Sequence, residues 1–144
     1  MREFRTSVDI EATVEQAWSV LTDIERWPEW TASVTSAELV DPGPPLVGTR
    51  ARVHQPKLSP AVYTITEWHP PHRFVWVARR PGLRTIAGHE VIRRGGACSV
   101  LLTVNFAGLL GSVAALAGGK LTREYMGLEA NGLKARCEAG AERH

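Results

Sequence analysis

The sequence has little of several features that define particular protein classes. It contains two cysteines, Cys98 and Cys137, which are too few for a disulfide framework. Its longest apolar run, from Phe106 to Ala117, is broken by glycines and is shorter than the roughly 20 residues that a membrane-spanning helix requires. Residues 1–5 show no apolar stretch of the kind found in signal peptides. We therefore expect a cytoplasmic protein that makes no stable membrane insertion.

The chain also lacks a strong charge of one sign and the short motifs of cofactor chemistry. Its 17 lysines and arginines face 15 aspartates and glutamates, a net charge of +2, so we expect no nucleic-acid partner. No Cys-x-x-Cys or His-Glu-x-x-His pattern predicts a metal site. Gly119-Lys120 lacks the other residues of a phosphate-binding loop, and no dinucleotide motif is present. We expect neither a metal nor a cofactor.

What the sequence does contain is a clear change of hydrophobic period. Apolar and polar residues alternate over Phe4–Ile10, which is typical of a half-buried strand. Thr13 and Gln16 then form the pattern of a capping box at a helix N-terminus, and the apolar residues that follow recur at helical spacing. Asp23 can cap a second short helix, which Pro28 is expected to end.

The middle of the chain is strand-like. Six candidate strands follow Trp30, at 33–40, 48–55, 60–68, 73–79, 84–93 and 97–107. Turns rich in proline and glycine separate them, and such short connections join antiparallel strands because parallel pairing needs long crossovers. We therefore expect an antiparallel meander.

The last segment returns to a helical period. Its stripe of apolar and small residues consists of Leu121, Tyr125, Leu128, Gly132 and Ala135, and it predicts a long amphipathic C-terminal helix. Gly118-Gly119 is expected to end, kink or start this helix. The apolar stretch 108–117 is expected either to form its first part or to act as a flexible gate. The element order predicts a single α+β domain over residues 1–144, arranged β-α-α-β6-α.

This element order also predicts an internal cavity. Seven antiparallel strands twist and curl, and one helix laid across the concave face does not fill the whole curl. Large side chains such as Trp76 and Phe106 can plug part of the space, but the candidate strands also contain small residues such as Ala78, Ala87 and Gly88. A largely apolar cleft with a few polar groups is the usual form of a small-molecule site.

Several segments resemble one family. The matching motifs are Val8–Ala12, Val14–Trp18, Asp23–Trp30, Val47-Gly48-Thr49, Glu67–Pro71, Pro81-Gly82 with Gly88-His89, and Leu128–Lys134. In this order and spacing they resemble the polyketide cyclase/dehydrase-like branch of the START-related SRPBCC superfamily. The resemblance implies the helix-grip fold, in which a curled seven-stranded antiparallel sheet wraps around a long C-terminal helix. It also implies a lipid-, polyketide- or aromatic-like ligand in a cavity between sheet and helix.

Ten residues are predicted to contact such a ligand: Trp30, Val53, Tyr63, Ile65, Trp76, His89, Leu102, Leu121, Tyr125 and Leu128. His89 lies in a strand among apolar neighbours, where an imidazole can bind a carbonyl or phenol, move a proton, or serve a purely structural role. It is the candidate catalytic group, but no catalytic constellation of the family matches position by position. The tyrosines can present hydroxyls to a ligand or pack in the core.

Three functions remain open at this point. The first is binding of a hydrophobic small molecule, driven by desolvation, by a monomer or homodimer. The second is a cofactor-free polyketide cyclase, dehydrase or aromatase that uses the same cavity. The third is a protein-interaction module that uses the apolar stretch 108–117.

Overall fold

The structure, a computed structural model, describes residues 2–142. Its elements in chain order are β1 Arg2–Ile10, α1 Val14–Thr22, a short 3₁₀ helix Ile24–Glu29, β2 Ser36–Leu39, β3 Arg50–His54, β4 Ala61–His69, β5 Arg73–Arg80, β6 Leu83–Arg94, β7 Ala97–Ala107 and α2 Gly111–Glu142. This order confirms the predicted β-α-α-β6-α arrangement.

The seven strands form one antiparallel sheet in the order β1-β7-β6-β5-β4-β3-β2. All neighbouring pairs except β1–β7 are consecutive in sequence, so the chain runs through the sheet as a meander that β1 joins at one edge. Helix α2 packs against β1, β6 and β7 and against α1. The predicted helix-grip architecture is therefore confirmed.

The predicted capping box is present at the start of α1. The Gln16 amide donates to the Thr13 hydroxyl over 3.1 Å, and the Thr13 amide donates to the Gln16 side chain over 2.8 Å. Each side chain thereby satisfies a backbone donor that the first helical turn leaves without a partner. The 3₁₀ helix that follows contains Pro28, and its Trp27 indole donates to the Leu21 carbonyl over 2.9 Å.

Strand β2 is shorter than the predicted strand 33–40. The hydroxyls of Thr31 and Ser33 are buried and lie 2.6 Å apart, and the Ser33 amide donates to the Thr31 hydroxyl. Such local side-chain bonds offer the backbone an alternative to a strand ladder. Regular pairing with β3 begins only at Ser36.

The prediction that Gly118-Gly119 ends or starts the last helix is wrong. Helix α2 begins at Gly111 and continues through both glycines, so residues 111–117 form its first turns. Here the glycines allow α2 to pack closely against its neighbours and do not end the helix. A Cβ at position 119 would lie 3.3 Å from the Phe4 ring, and one at Gly132 would overlap the carbonyl oxygen of Trp30.

Candidate ligand cavity

A cavity of about 470 Å³ lies between the concave face of the sheet and helix α2. Alternate residues of the strands line it, because successive side chains of a strand point to opposite faces. On β5 these are Trp76, Ala78 and Arg80, and on β7 they are Val104 and Phe106. The volume lies within the range of about 300–1,000 Å³ that is typical of small-molecule pockets.

The mouth of the cavity lies between the β3–β4 loop, the β5–β6 hairpin and the N-terminal half of α2. Leu58 and Arg80 belong to its lining and are exposed to solvent. The Arg80 guanidinium donates to the Pro60 carbonyl over 3.0 Å, which ties the hairpin to the loop. The Tyr125 hydroxyl donates to the Pro56 carbonyl and ties α2 to the same loop.

The opposite, deep end is lined by aromatic rings. Tyr63 stacks on Trp76 with ring centroids 5.0 Å apart and planes 30° from parallel. Trp27 contacts Trp76 at 5.2 Å and His89 at 5.7 Å. Trp27 reaches this position because its indole N–H is bonded to the end of α1. These rings give the deep end a flat, polarisable surface suited to an aromatic or conjugated ligand.

His89 lies in the wall of the deep end and is 4% exposed. Its imidazole stacks on Phe74 with centroids 4.1 Å apart. Its Nδ1 lies 3.3 Å from the Phe74 carbonyl oxygen, which accepts a hydrogen bond and so fixes the proton on Nδ1. Burial lowers the pKa of His89 to about 3. The imidazole is therefore neutral near pH 7, and its Nε2 is an unprotonated acceptor.

Glu129 of α2 places a carboxyl group opposite that acceptor. Its Oε1 lies 3.7 Å from His89 Nε2, is buried, and has no hydrogen-bond partner among the described residues. Burial raises the pKa of Glu129 from 4.5 to about 7. A carboxyl with such a pKa exchanges protons near neutral pH and can either donate to or accept from a bound molecule.

Tyr63 completes the polar part of the deep end. Burial, followed by the nearby charge of Glu129, raises the pKa of Tyr63 to about 12. Its hydroxyl therefore keeps its proton throughout the physiological range and can donate a hydrogen bond to a ligand oxygen.

Six of the ten residues predicted as ligand contacts line this cavity: Val53, Tyr63, Trp76, His89, Leu121 and Tyr125. Their roles in binding remain predictions. Ile65 and Leu102 lie outside the lining, although they share the concave face with Tyr63 and Val104. They are 1% and 3% exposed and belong to the solid core, each two residues farther from the cavity mouth than the lining residue on its strand.

Trp30 and Leu128 also lie outside the lining, for different reasons. Trp30 packs against Trp27 with ring centroids 5.5 Å apart and meets α2 at Gly132, so it closes the core and does not border the cavity. Leu128 is 38% exposed and lies on the outer side of α2.

Glu129 is the feature that the sequence interpretation missed. The predicted stripe on the last helix passes through Leu128 and does not include Glu129. Leu121, Tyr125 and Glu129 are spaced four residues apart and all line the cavity. That spacing was visible in the sequence as a signal, but a glutamate on an amphipathic helix usually faces solvent.

Neither a metal cluster nor a membrane span is found in the part of the chain that the structure describes. Residues 2–142 contain no group of three or more His, Cys, Asp or Glu side chains arranged to hold a metal ion. No helix in this range is both long and apolar enough to cross a membrane.

A curled antiparallel sheet that grips one long helix around an apolar cavity defines the helix-grip class of START-related proteins. Residues 1–138 match the family described as polyketide cyclase/dehydrase and lipid transport. The chain belongs to this family, as the sequence motifs predicted. No curated protein matches the sequence at a significant level.

Solved structures share the fold at low sequence identity. The protein TTHA0849 from Thermus thermophilus is 20% identical, with a TM-score of 0.77 over 96% of this chain and 99% of that one. A START superfamily protein from Mycobacterium smegmatis is 15% identical, with a TM-score of 0.74 over 95% and 97%. The ZhuI aromatase/cyclase from a Streptomyces species is 14% identical, with a TM-score of 0.77 over 95% and 93%. At these identities the similarity establishes the fold alone.

Proposed function

We propose that the protein binds a hydrophobic small molecule of the lipid, polyketide or aromatic type in the cavity between the sheet and α2. The observation that carries this proposal is an open apolar space of about 470 Å³ with a single carboxyl group at its deep end. Each ligand methylene that enters such a space contributes about 0.8 kcal/mol through desolvation. The family, whose description names polyketide chemistry and lipid transport, supports the same class of ligand.

The deep end favours a ligand that carries a hydroxyl or carbonyl group. A buried polar group without a partner costs about 1–3 kcal/mol, and Glu129 Oε1 is such a group. A ligand hydroxyl or carbonyl placed there forms the missing hydrogen bond and relieves that cost. The flat rings of Tyr63 and Trp76 then favour an unsaturated or aromatic part next to the polar group.

Filling the cavity tests the binding proposal. Ala87 lies opposite Trp76 on the adjacent strand and lines the cavity, so Ala87→Phe projects a ring into the space. Native mass spectrometry of the purified wild type should show a co-purified or added apolar compound, and Ala87→Phe should retain at most about a tenth of it. The matched control is Ala139→Phe, on an exposed face of α2, which should bind as the wild type does. Equal retention by Ala87→Phe, or no retention of any apolar compound by the wild type, would contradict the proposal.

A second candidate function is a polyketide cyclase- or dehydrase-type reaction in the same cavity. One observation favours it: Glu129, with a pKa of about 7, lies 3.7 Å from the neutral Nε2 of His89. Efficient general acid–base groups have pKa values near the working pH. His89, with a pKa of about 3, is a poor base, and its Nε2 is too far from Glu129 for a hydrogen bond, so Glu129 is the group that exchanges protons.

A dehydration shows how these groups complete a reaction. The Glu129 carboxylate removes the proton from the carbon next to a carbonyl of a β-hydroxy carbonyl chain. The electron pair of that C–H bond forms a carbon–carbon double bond as the C–O bond of the hydroxyl breaks. The departing hydroxyl takes the proton from Glu129 and leaves as water, which restores the carboxylate. No cofactor is consumed in this sequence.

Replacement of Glu129 separates a catalyst from a carrier. In Glu129→Gln the amide keeps the size of the side chain but cannot exchange protons. An enzyme should lose about 10²–10⁴-fold in turnover of a β-hydroxy or poly-β-keto thioester while ligand affinity changes only a few-fold. Glu124→Gln, on the exposed face of the same helix, is the matched control and should keep full turnover. Unchanged turnover in Glu129→Gln would rule out this role for Glu129, and the absence of turnover in the wild type with such substrates would favour a carrier.

A further inference from the structure

The positive side chains of the protein fall into two groups. Lys57, Arg79, Arg80, Arg84, Lys120 and Arg123 form no ion pair with any carboxylate in the described part of the chain. Every other lysine and arginine whose side chain the structure describes lies within 4.0 Å of a carboxylate. The six residues therefore differ from the other described cations, each of which has an acidic partner.

These six unpaired cations are all exposed, and one of them, Arg80, also lines the cavity near its mouth. They lie in three segments, 55–60, 79–84 and 108–123, which we call the mouth surface. The mouth surface contains no aspartate or glutamate, so its formal charge is +6. The whole chain carries +2, and the remainder of the chain therefore carries −4.

Two of these cations face each other across a strand pair. Arg79 of β5 is directly opposite Arg84 of β6. Like charges in this position repel and destabilise a sheet unless a counter-charge lies between them. Arg79 and Arg84 alternate with cavity-lining residues, so the pair lies on the outer face of the sheet and adds to the positive charge of the β5–β6 hairpin.

The mouth surface also presents an unusual apolar stripe. Leu109, in the turn before α2, is 95% exposed, and Val113 and Leu116 in the first turns of α2 are 61% and 82% exposed. Residues on the other side of the same turns, Ala114 and Gly118, line the cavity. The stripe therefore points away from the protein, while the helix that carries it forms one side of the mouth.

The stripe and the cations belong to one continuous surface. The Leu110 amide donates to the Gly82 carbonyl over 2.8 Å, so the start of α2 is fixed to the β5–β6 hairpin that carries Arg79, Arg80 and Arg84. Lys120 continues the stripe one turn after Leu116.

We propose that the mouth surface docks reversibly on an anionic lipid bilayer. Leu109, Val113 and Leu116 enter the boundary between headgroups and acyl chains, while the surrounding cations contact the headgroups. Exposed aliphatic residues bordered by lysine and arginine are the usual composition of a peripheral membrane-binding surface. Docking in this orientation places the cavity mouth against the bilayer, so that an apolar ligand can pass between them without crossing water.

Two other occupants fit the surface less well. If a second copy of the chain docked through the same surface, two mouth surfaces of charge +6 would face each other, and such like charges oppose association. An acidic protein would satisfy the charges, but protein interfaces are usually anchored by aromatic residues, and the stripe is purely aliphatic. An anionic bilayer satisfies both the charges and the aliphatic stripe.

Vesicle binding tests the proposal without any cavity ligand, so its outcome is independent of the proposed function. The wild type should float with phosphatidylcholine vesicles that contain about 30% phosphatidylserine, and should bind pure phosphatidylcholine far more weakly. Binding should weaken as salt is raised, because screening shortens the range of the headgroup charge. Leu109→Gln with Leu116→Gln should weaken binding at least about tenfold, since it removes the apolar contacts.

The charge contribution has its own variant and control. Arg84→Gln with Lys120→Gln should weaken binding by about fivefold for each charge removed. Two control pairs lie at the opposite end of the sheet. Leu46→Gln with Val47→Gln changes two apolar residues that are 57% and 55% exposed. Arg93→Gln with Arg94→Gln removes two cations from the β6–β7 hairpin. Both control pairs should bind vesicles as the wild type does.

Several results would overturn the docking proposal. One is a wild type that binds no anionic vesicles, and another is equal loss of binding in the control pairs. A dimer in light scattering that the Leu109 and Leu116 substitutions dissociate would assign the stripe to a second copy. If the protein bound soluble polyglutamate as strongly as vesicles, and the Leu109 and Leu116 substitutions did not weaken that binding, the partner would instead be an acidic protein.

Discussion

At the scale of single residues, the deep end of the cavity combines two groups whose charged forms are disfavoured by burial. His89 resists gaining a proton and Glu129 resists losing one, so both are neutral over part of the pH range. A neutral pair allows the protein to bury two titratable groups beside an apolar ligand without a net charge there. The cost is a dependence of folding stability on pH.

Glu129→Gln should remove one part of that dependence. The pKa of Glu129 is about 7 in the folded protein against 4.5 as its ordinary value. Between these two values the folded state holds a proton that the unfolded state has lost, so this group lowers the free energy of unfolding as the pH rises. The full loss, about 3 kcal/mol, is reached above about pH 7. In urea unfolding across this pH range, the free energy of unfolding of Glu129→Gln should rise by that amount relative to that of the wild type.

The opposite behaviour of His89 does not confuse the comparison. Its pKa falls from 6.5 to about 3, so its contribution to stability rises with pH over that interval in both proteins. It cancels in the difference between variant and wild type. Glu124→Gln, which removes an exposed carboxyl from the same helix, should parallel the wild type. A constant difference between Glu129→Gln and the wild type would mean that Glu129 is not buried as described.

At the scale of elements, α2 holds six glycines, and the surroundings of two of them differ sharply. A Cβ at Gly132 would overlap the carbonyl oxygen of Trp30, whereas one at Gly127 would meet no atom within 4 Å. The close approach at Gly132 lets the helix lie directly on the segment after the 3₁₀ helix. It thereby sets the distance between α2 and the sheet.

Two identical substitutions in this helix should therefore have opposite effects. Gly132→Ala forces backbone atoms apart and should lower the free energy of unfolding by about 1–3 kcal/mol. Gly127→Ala meets open space and should raise it by about 0.5–1 kcal/mol, the usual advantage of alanine within a helix. Thermal or urea unfolding of the two variants checks both signs. Equal effects would show that the contact between Trp30 and α2 is looser than the structure indicates.

The elements themselves were predictable, because each carries a local signal. The capping box of α1, the period of two in the strands and the proline- and glycine-rich turns act over a few residues and leave a pattern in the sequence. One exception depended on a tertiary contact and the other on a local side-chain bond. Gly118-Gly119 looks like a helix break until Phe4 is known to pack on Gly119, and β2 loses its first residues to a bond between Thr31 and Ser33.

At the scale of the whole molecule, the site was only partly predictable. Strand alternation places Tyr63 with Ile65, and Leu102 with Val104, on the face that carries the cavity. It could not show where along that face the cavity ends, because the closed end is set by Trp27 from a distant segment. Glu129 was missed for a related reason: the burial of a helical carboxyl is decided by the rings facing it across the cavity.

The distribution of ion pairs has a consequence for how the molecule moves before it touches anything. Under the docking proposal, the +6 of the mouth surface and the −4 of the rest of the chain act as an electric dipole whose positive end is the mouth surface. In the field of a negatively charged surface such a dipole experiences a torque. The molecule would turn during its diffusive approach and arrive with its opening foremost, so that the orientation of first contact is selected at a distance of about one Debye length.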